Sequence, residues 1–180
     1  MPDIDYFLWS LLLAFCAVIF LYDYLFRRVP NKVLLIAIAL QLGCLLLQGK
    51  GVNGSSWWNA TAGFAIGLAF FLPLYVLRAM AAGDVKFFAV LGLLLGPTAL
   101  LPVFLIASLI AVVHAAILYV SRSGIVPGLQ LVTTHAARCS WYQRILEKRG
   151  NRVGIPYAAY LALAGAWVGG HGAGAMPGFT

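Results

Sequence analysis

The stretch from Val85 to Val120 reads VKFFAVLGLLLGPTALLPVFLIASLIAVVHAAILYV, thirty-six residues whose only ionisable side chains apart from a tyrosine are Lys86 and His114. A helix crosses the hydrocarbon core of a bilayer with about 20 apolar residues, and ~17 suffice. The block is therefore too long for one crossing and suits two. Gly96-Pro97 supplies the break, because proline cannot continue a helix and glycine turns easily. Further apolar runs lie on either side of it. One spans Tyr6 to about Tyr22, and a second runs from Val33 to about Gln48, where the Gly-rich loop Gly49–Gly54 begins. A third runs from Trp57-Trp58, an aromatic pair suited to a membrane interface, to about Leu77, and a last one covers Ile155 to Trp167. The count predicts an all-α polytopic membrane protein with about six transmembrane helices, forming a single membrane-embedded domain over residues 1–180.

Composition agrees. Of 180 residues, 63% are hydrophobic and 9% charged, and the mean hydropathy is +0.94. An ordinary soluble domain carries roughly 25% charged residues. A soluble enzyme, a disordered tail and a nucleic-acid binder are excluded, despite a formal net charge of +7.

The cations orient the spans. Arg27, Arg28 and Lys32 follow the first, Arg78 and Lys86 the third, and Arg122, Arg138, Arg144, Lys148, Arg149 and Arg152 the fifth. Eleven of the twelve Lys and Arg residues thus fall on one side, and only Lys50 on the other. The positive-inside rule makes the crowded side cytoplasmic and puts both termini on the non-cytoplasmic side. Arg27 and Arg28 read as anchors of a retained first span, since Asp3 and Asp5 precede it where a cleavable signal would carry a basic region. The basic cytoplasmic segment 121–153 mixes Trp141, Tyr142, Ile145 and Leu146 with cations around Arg138–Arg149, a composition that suits a helix lying on anionic membrane lipids and equally a solvated loop. Gly63, Gly67, Ala162, Gly165 and Gly169 are expected at close helix contacts.

Cys16, Cys44 and Cys139 form no C-x-x-C pair, and His114, His135 and His171 are scattered, so neither a metal site nor a cofactor is expected. Cys16 and Cys44 read as buried thiols, and His114 as a packed or hydrogen-bonded helix residue. The five acids are Asp3, Asp5, Asp23, Asp84 and Glu147. Asp3 and Asp5 read as an outer tail and Glu147 as a solvated charge among cations. Asp23 and Asp84 instead sit at junctions of a span with a short cytoplasmic turn, at equal depth on one side. An acid at a membrane edge is expensive enough to need a partner or a task. Pairing within the chain would match Asp23 with Arg27 and Asp84 with Lys86. The alternative is a dyad. Two adjacent carboxylates cannot both ionise easily, so one keeps a proton while the other takes one from water. That is aspartyl proteolysis, and such a pair titrates as a unit. Pro30 ends the exit from the first span, with Asn31 as the expected N-cap of the next helix. Gly83 is expected to allow a tight turn before Asp84, which opens a short helix whose dipole favours the anion. A small proton-coupled transporter or channel using both acids as relays is the competing reading; transporters place such groups near the midplane on broken helices.

These segments resemble the type IV prepilin peptidases, the bacterial branch of the G-x-G-D membrane aspartyl proteases. In that family one Asp lies seven residues before a Pro-Asn pair, as Asp23 does before Pro30-Asn31, and the second lies in Gly-x-Gly-Asp-x-Lys, which Ala81-Ala82-Gly83-Asp84-Val85-Lys86 matches except at its first glycine. Gly154-Ile-Pro-Tyr157 before an Ala/Gly-rich span is similar to the family's last helix, so the resemblance covers about residues 6–170. It implies a catalytic pair Asp23 and Asp84, with Gly83 and Lys86 supporting the site or holding substrate. It also implies cleavage of the basic leader of a prepilin or pseudopilin, ahead of its hydrophobic N-terminal helix, at the cytoplasmic face of the bacterial inner (cytoplasmic) membrane. Larger relatives carry an insert with paired Cys-x-x-Cys motifs and also methylate the new N-terminus. This chain has no such motifs and is similar to the short, peptidase-only branch of Tad/Flp pilus systems.

Overall fold

A computed structural model describes residues 2–123, Glu147 and residues 155–172. Six helices and no strand are found among the described residues: α1 (Pro2–Phe26), α2 (Asn31–Gln48), α3 (Trp57–Val76), α4 (Ala82–Leu95), α5 (Pro97–Ser123) and α6 (Tyr157–Gly172). The break in the quoted block falls where the sequence put it. Leu95 ends α4, Gly96 takes a left-handed φ of 85° that glycine adopts without a Cβ penalty, and Pro97 opens α5.

Four of the helices, α1 from Phe7 onward, α2, α3 and α5, are long and apolar enough to cross a membrane. The all-helical, multi-pass membrane class expected from composition therefore stands. The remaining two are shorter, with 14 residues in α4 and 16 in α6. At 1.5 Å per residue they reach only about 21 Å and 24 Å, against a hydrocarbon core of about 30 Å. The first of them, α4, lies inside, whereas α6 keeps Leu163, Trp167 and His171 exposed on one face. From Val85 to Leu95 every residue of α4 is buried except Lys86. The outer helices show the opposite: α5 exposes Leu101, Leu105, Leu109, Val112 and Ile117, a stripe at helical spacing, and turns Leu100, Val103 and Ala107 inward.

Helix α4 packs on α2, α3, α5 and α6, and α6 on α1, α4 and α5. The closest approach is between α3 and α4, where a Cβ on Gly63 would overlap the Gly92 carbonyl oxygen and a Cβ on Gly92 the Gly63 carbonyl oxygen. Nothing larger than glycine fits at either position. Gly67, Gly165 and Gly169 are likewise at close contacts, as expected of small residues in a membrane bundle, and Ala162 is buried. Beside this crossing Phe71 stacks on Phe88 with ring centroids 4.2 Å apart. The apolar core draws buried side chains from all six helices.

At the end of α4 far from Asp84, the side chain of Gln41 is fully buried. Its Nε2 donates to the Leu93 carbonyl (2.9 Å) and to Ser55 Oγ (3.2 Å), and its Oε1 accepts from the Val52 N–H (2.8 Å). One neutral amide thus ties the α2–α3 loop to the core, and a buried amide that is hydrogen-bonded on both ends carries little desolvation cost.

Some expectations need correction. Helix α1 begins at Pro2, so Asp3 and Asp5 lie in its first turns and not in a tail; proline at the first helical position and acids in the first turn both favour a helix start there. Asn31 is the first residue of α2, not its cap. Pro30 holds the cap position with φ −73° and ψ 117°, and its carbonyl accepts from the Val33 and Leu34 N–H groups. Cys16 is buried, whereas Cys44 is only half-buried. The expected surface helix around Arg138–Arg149 lies, Glu147 apart, outside the described residues. Glu147 itself is exposed.

Candidate active site

Asp23 is reached along the inner face of α1. Leu12, Cys16, Ile19 and Asp23 follow one another at spacings of four, three and four and are all buried, so the acid is the last member of the core stripe. Only 6% of Asp23 is exposed. Three residues on, α1 ends. Arg27 takes a left-handed φ of 53° and its N–H returns to the Asp23 carbonyl at 2.9 Å, a common way to satisfy the last carbonyls of a helix. The guanidinium atoms Nε and Nη1 of Arg27 are buried without a hydrogen-bond partner among the described residues.

Asp84 is the third residue of α4, where the sequence put it. Its carboxyl reaches back to the N–H of Ala81, the cap residue, as the acid of a capping box does. Gly83 corrects an expectation. It has an ordinary helical backbone, and what it needs is space: a Cβ there would come within 3.2 Å of Val29 Cγ2 and 3.3 Å of Val29 Cβ. Glycine lets the α1–α2 turn close down beside Asp84.

The two acids meet on the start of α6. The Ala159 N–H donates to Asp23 Oδ2 at 3.0 Å, and the adjacent Ala158 N–H lies close enough to Asp84 to favour its anion. The first N–H groups of a helix have no partner inside it and carry the positive end of its dipole, so they suit carboxylates. Asp23 and Asp84 also lie close enough to sense each other's charge. Tyr157, within the field of Asp84, bonds to Ser108 Oγ at 2.9 Å. Tyr160, within the field of Asp23, bonds to His114 Nδ1 at 2.8 Å. These bonds fasten α6 to α5, and His114 is the hydrogen-bonded helix residue expected.

Lys86 is not brought to the pair. Two residues apart on a helix is a turn of about 200°, and Lys86 lines a separate groove with Asn31, away from Asp84. The structure thus joins Asp23, Asp84 and Gly83 and leaves Lys86 on the far face of α4. What sequence reasoning missed is the α6 backbone. Its signal was Pro156-Tyr157 in the closing motif: Pro156 is fully buried, and the helix starts at Tyr157.

Chemically, the arrangement offers two carboxyls within each other's field at the start of one helix, with peptide donors and the Tyr157 and Tyr160 hydroxyls around them. It can bind a water between them, with one carboxyl accepting a proton and the other donating one. Neither a curated protein nor a solved structure matches the chain. A family profile, that of the type IV leader peptidase family, matches residues 10–116, a span that contains both Asp23 and Asp84. With more than half of its length matched, the chain belongs to the type IV leader peptidase family.

Proposed function

We propose that the protein is a membrane aspartyl endopeptidase that removes the leader peptides of prepilins or pseudopilins, with Asp23 and Asp84 as its catalytic pair. The observation that carries the reading is the convergence of these two acids, 61 positions apart in sequence, on consecutive N–H groups of one helix. Capping that helix end needs one acceptor and no charge. Two ionisable groups in electrostatic contact exceed the structural need and suit proton transfer.

In the proposed reaction, the ionised member of the pair takes a proton from a bound water as its oxygen attacks the scissile carbonyl. The protonated member gives its proton to the carbonyl oxygen. Collapse of the tetrahedral intermediate breaks the C–N bond: the leaving amine takes the proton first drawn from water, and the carboxyl that protonated the carbonyl oxygen takes a proton back from the diol, which leaves a carboxylic acid and restores the pair. No metal or covalent intermediate is required, and which acid starts protonated belongs to the pair as a whole.

The wider reading follows the distribution of charge. Six spans form one membrane-embedded domain, with both termini on the non-cytoplasmic side and the pair at the cytoplasmic face of a bacterial inner membrane. The substrate's hydrophobic helix lies in the bilayer while its basic leader is cut away. The absence of Cys-x-x-Cys pairs supports a peptidase of the Tad/Flp type without methyltransferase activity.

Co-expression with a candidate prepilin tests the reading. The pilin's gel mobility should shift with the wild-type chain and stay at the precursor position with either Asp23→Ala or Asp84→Ala. Processing that persists in both variants would overturn the dyad. A proton relay through the same acids would instead give proton flux in liposomes without any cleavage.

A further inference from the structure

Beside the pair, but on the opposite side of α4, a groove of about 340 Å³ opens between α2, α3 and α4. Leu35, Ile38, Phe64 and Leu68 are among its apolar walls, and Asn31 and Lys86 provide its polar end. Leu35 is 64% exposed, so the groove faces the lipid laterally. Lys86 is the exposed exception on an otherwise buried stretch of helix, and the ammonium is spent on neither Asp84 nor any other ion pair among the described residues. Asn31 opens α2, whose N-terminus has no side-chain cap and no acid in its first turn, so the positive end of that helix dipole also faces this corner. No acidic side chain lines the groove among the described residues.

An apolar trough that ends in an ammonium, an amide and an uncapped helix start matches an amphiphile with an acyl chain and an anionic head. We propose that the groove holds one anionic phospholipid, its phosphate between Lys86 and Asn31 and one acyl chain against Leu35, Ile38, Phe64 and Leu68. The charge of the site sets the choice. A neutral lipid satisfies the trough but not the ammonium, and a substrate helix docked here would lie across α4 from the acids that are to cut it. The polar end of the site adjoins Lys32 in sequence and lies on the cation-rich side that the charge distribution marks, where anionic lipids concentrate. The proposal does not depend on Asp23 and Asp84 being catalytic, and its test reads lipid, not cleavage.

The full chain is reconstituted in nanodiscs of phosphatidylcholine with increasing phosphatidylglycerol, released into mild detergent, and weighed with its retained lipid by native mass spectrometry. The wild type should retain phosphatidylglycerol in preference to phosphatidylcholine, with one molecule bound per chain. Lys86→Gln should lower that preference about fivefold, the effect of one cation near an anionic head. Leu35→Trp, which fills the trough, should reduce retention of both lipids, and Lys50→Gln, at the other side of the bundle, should leave the preference intact. Equal retention of the two lipids by the wild type overturns the proposal, as does an undiminished preference in Lys86→Gln. So does displacement of the lipid by millimolar glycerol phosphate, which would reveal a phosphate site with no use for the trough. A photo-crosslinker at position 35 that captures the helix of a co-expressed prepilin, and not lipid, assigns the groove to peptide and also overturns it.

Discussion

Two polar clusters sit at opposite ends of α4, and they are built differently. At one end Gln41, a neutral amide, makes three hydrogen bonds and holds the α2–α3 loop to Leu93. At the other end Asp23 and Asp84 take adjacent N–H groups from the start of α6. The first cluster does what a buried polar group does at least cost: it ties backbone without bringing charge into the membrane. The second does similar tying with two groups that can each carry a charge. The contrast teaches that the fold can join helices here with an amide, and under the proposed function the carboxyls add what an amide cannot do, which is to exchange protons.

The sharpest way to break this contrast is to make the second cluster resemble the first. Asp23→Asn keeps an oxygen for the Ala159 N–H, and Asp84→Asn keeps one for Ala158. Each should cut the prepilin-processing rate by about 10²–10⁴-fold. Thermal unfolding in detergent should show stability within about 1 kcal/mol of wild type, the scale of a charge at a helix start. A variant that still processes at the wild-type rate removes the distinction between the clusters. Gln41→Ala should do the reverse. It leaves the Val52 N–H and the Leu93 carbonyl without this partner, at about 1–3 kcal/mol for each buried group, while activity per folded molecule stays near wild type.

Gly83→Ala probes how closely the acids' surroundings are set. The added methyl meets the Val29 side chain, which must give by a few tenths of an ångström beside Asp84. We expect processing to slow by roughly tenfold, on the scale of a sub-ångström misplacement, and Val29→Ala to restore much of the loss in the double variant. Failure of that rescue would place the requirement for glycine elsewhere. The smallest effect is expected from Tyr157→Phe, which loses the bond to Ser108 at about 1 kcal/mol of stability and leaves the α6 peptide donors in place.

Much of this arrangement was legible in the sequence because the relevant signals are carried by side chains. Gly96-Pro97 marked the end of α4, and the two acids stood out because so few others compete with them. The part that was not legible depends on backbone and space. The N–H groups of Ala158 and Ala159 have no signature in residue type, since alanine says nothing about what its amide donates to. Gly83 was identified, but as a turn; only the position of Val29 shows that its role is clearance. Lys86 sits in the same motif as Asp84, and its departure from the site follows from the helical turn once α4 is known to begin at Ala82. The shortness of α4 is likewise an outcome of the bundle, since a helix enclosed by others can stop short of the bilayer surfaces.

The attachment of both acids to α6 has a mechanical consequence. Ala158 and Ala159 are successive units of one rigid rod, so no sliding or rotation of that rod can release one carboxyl and leave the other undisturbed. The acids come from two distant parts of the chain, Asp23 near the end of α1 and Asp84 at the start of α4, yet both face neighbouring peptide units of α6. A displacement of α6 therefore reaches both carboxyls at once.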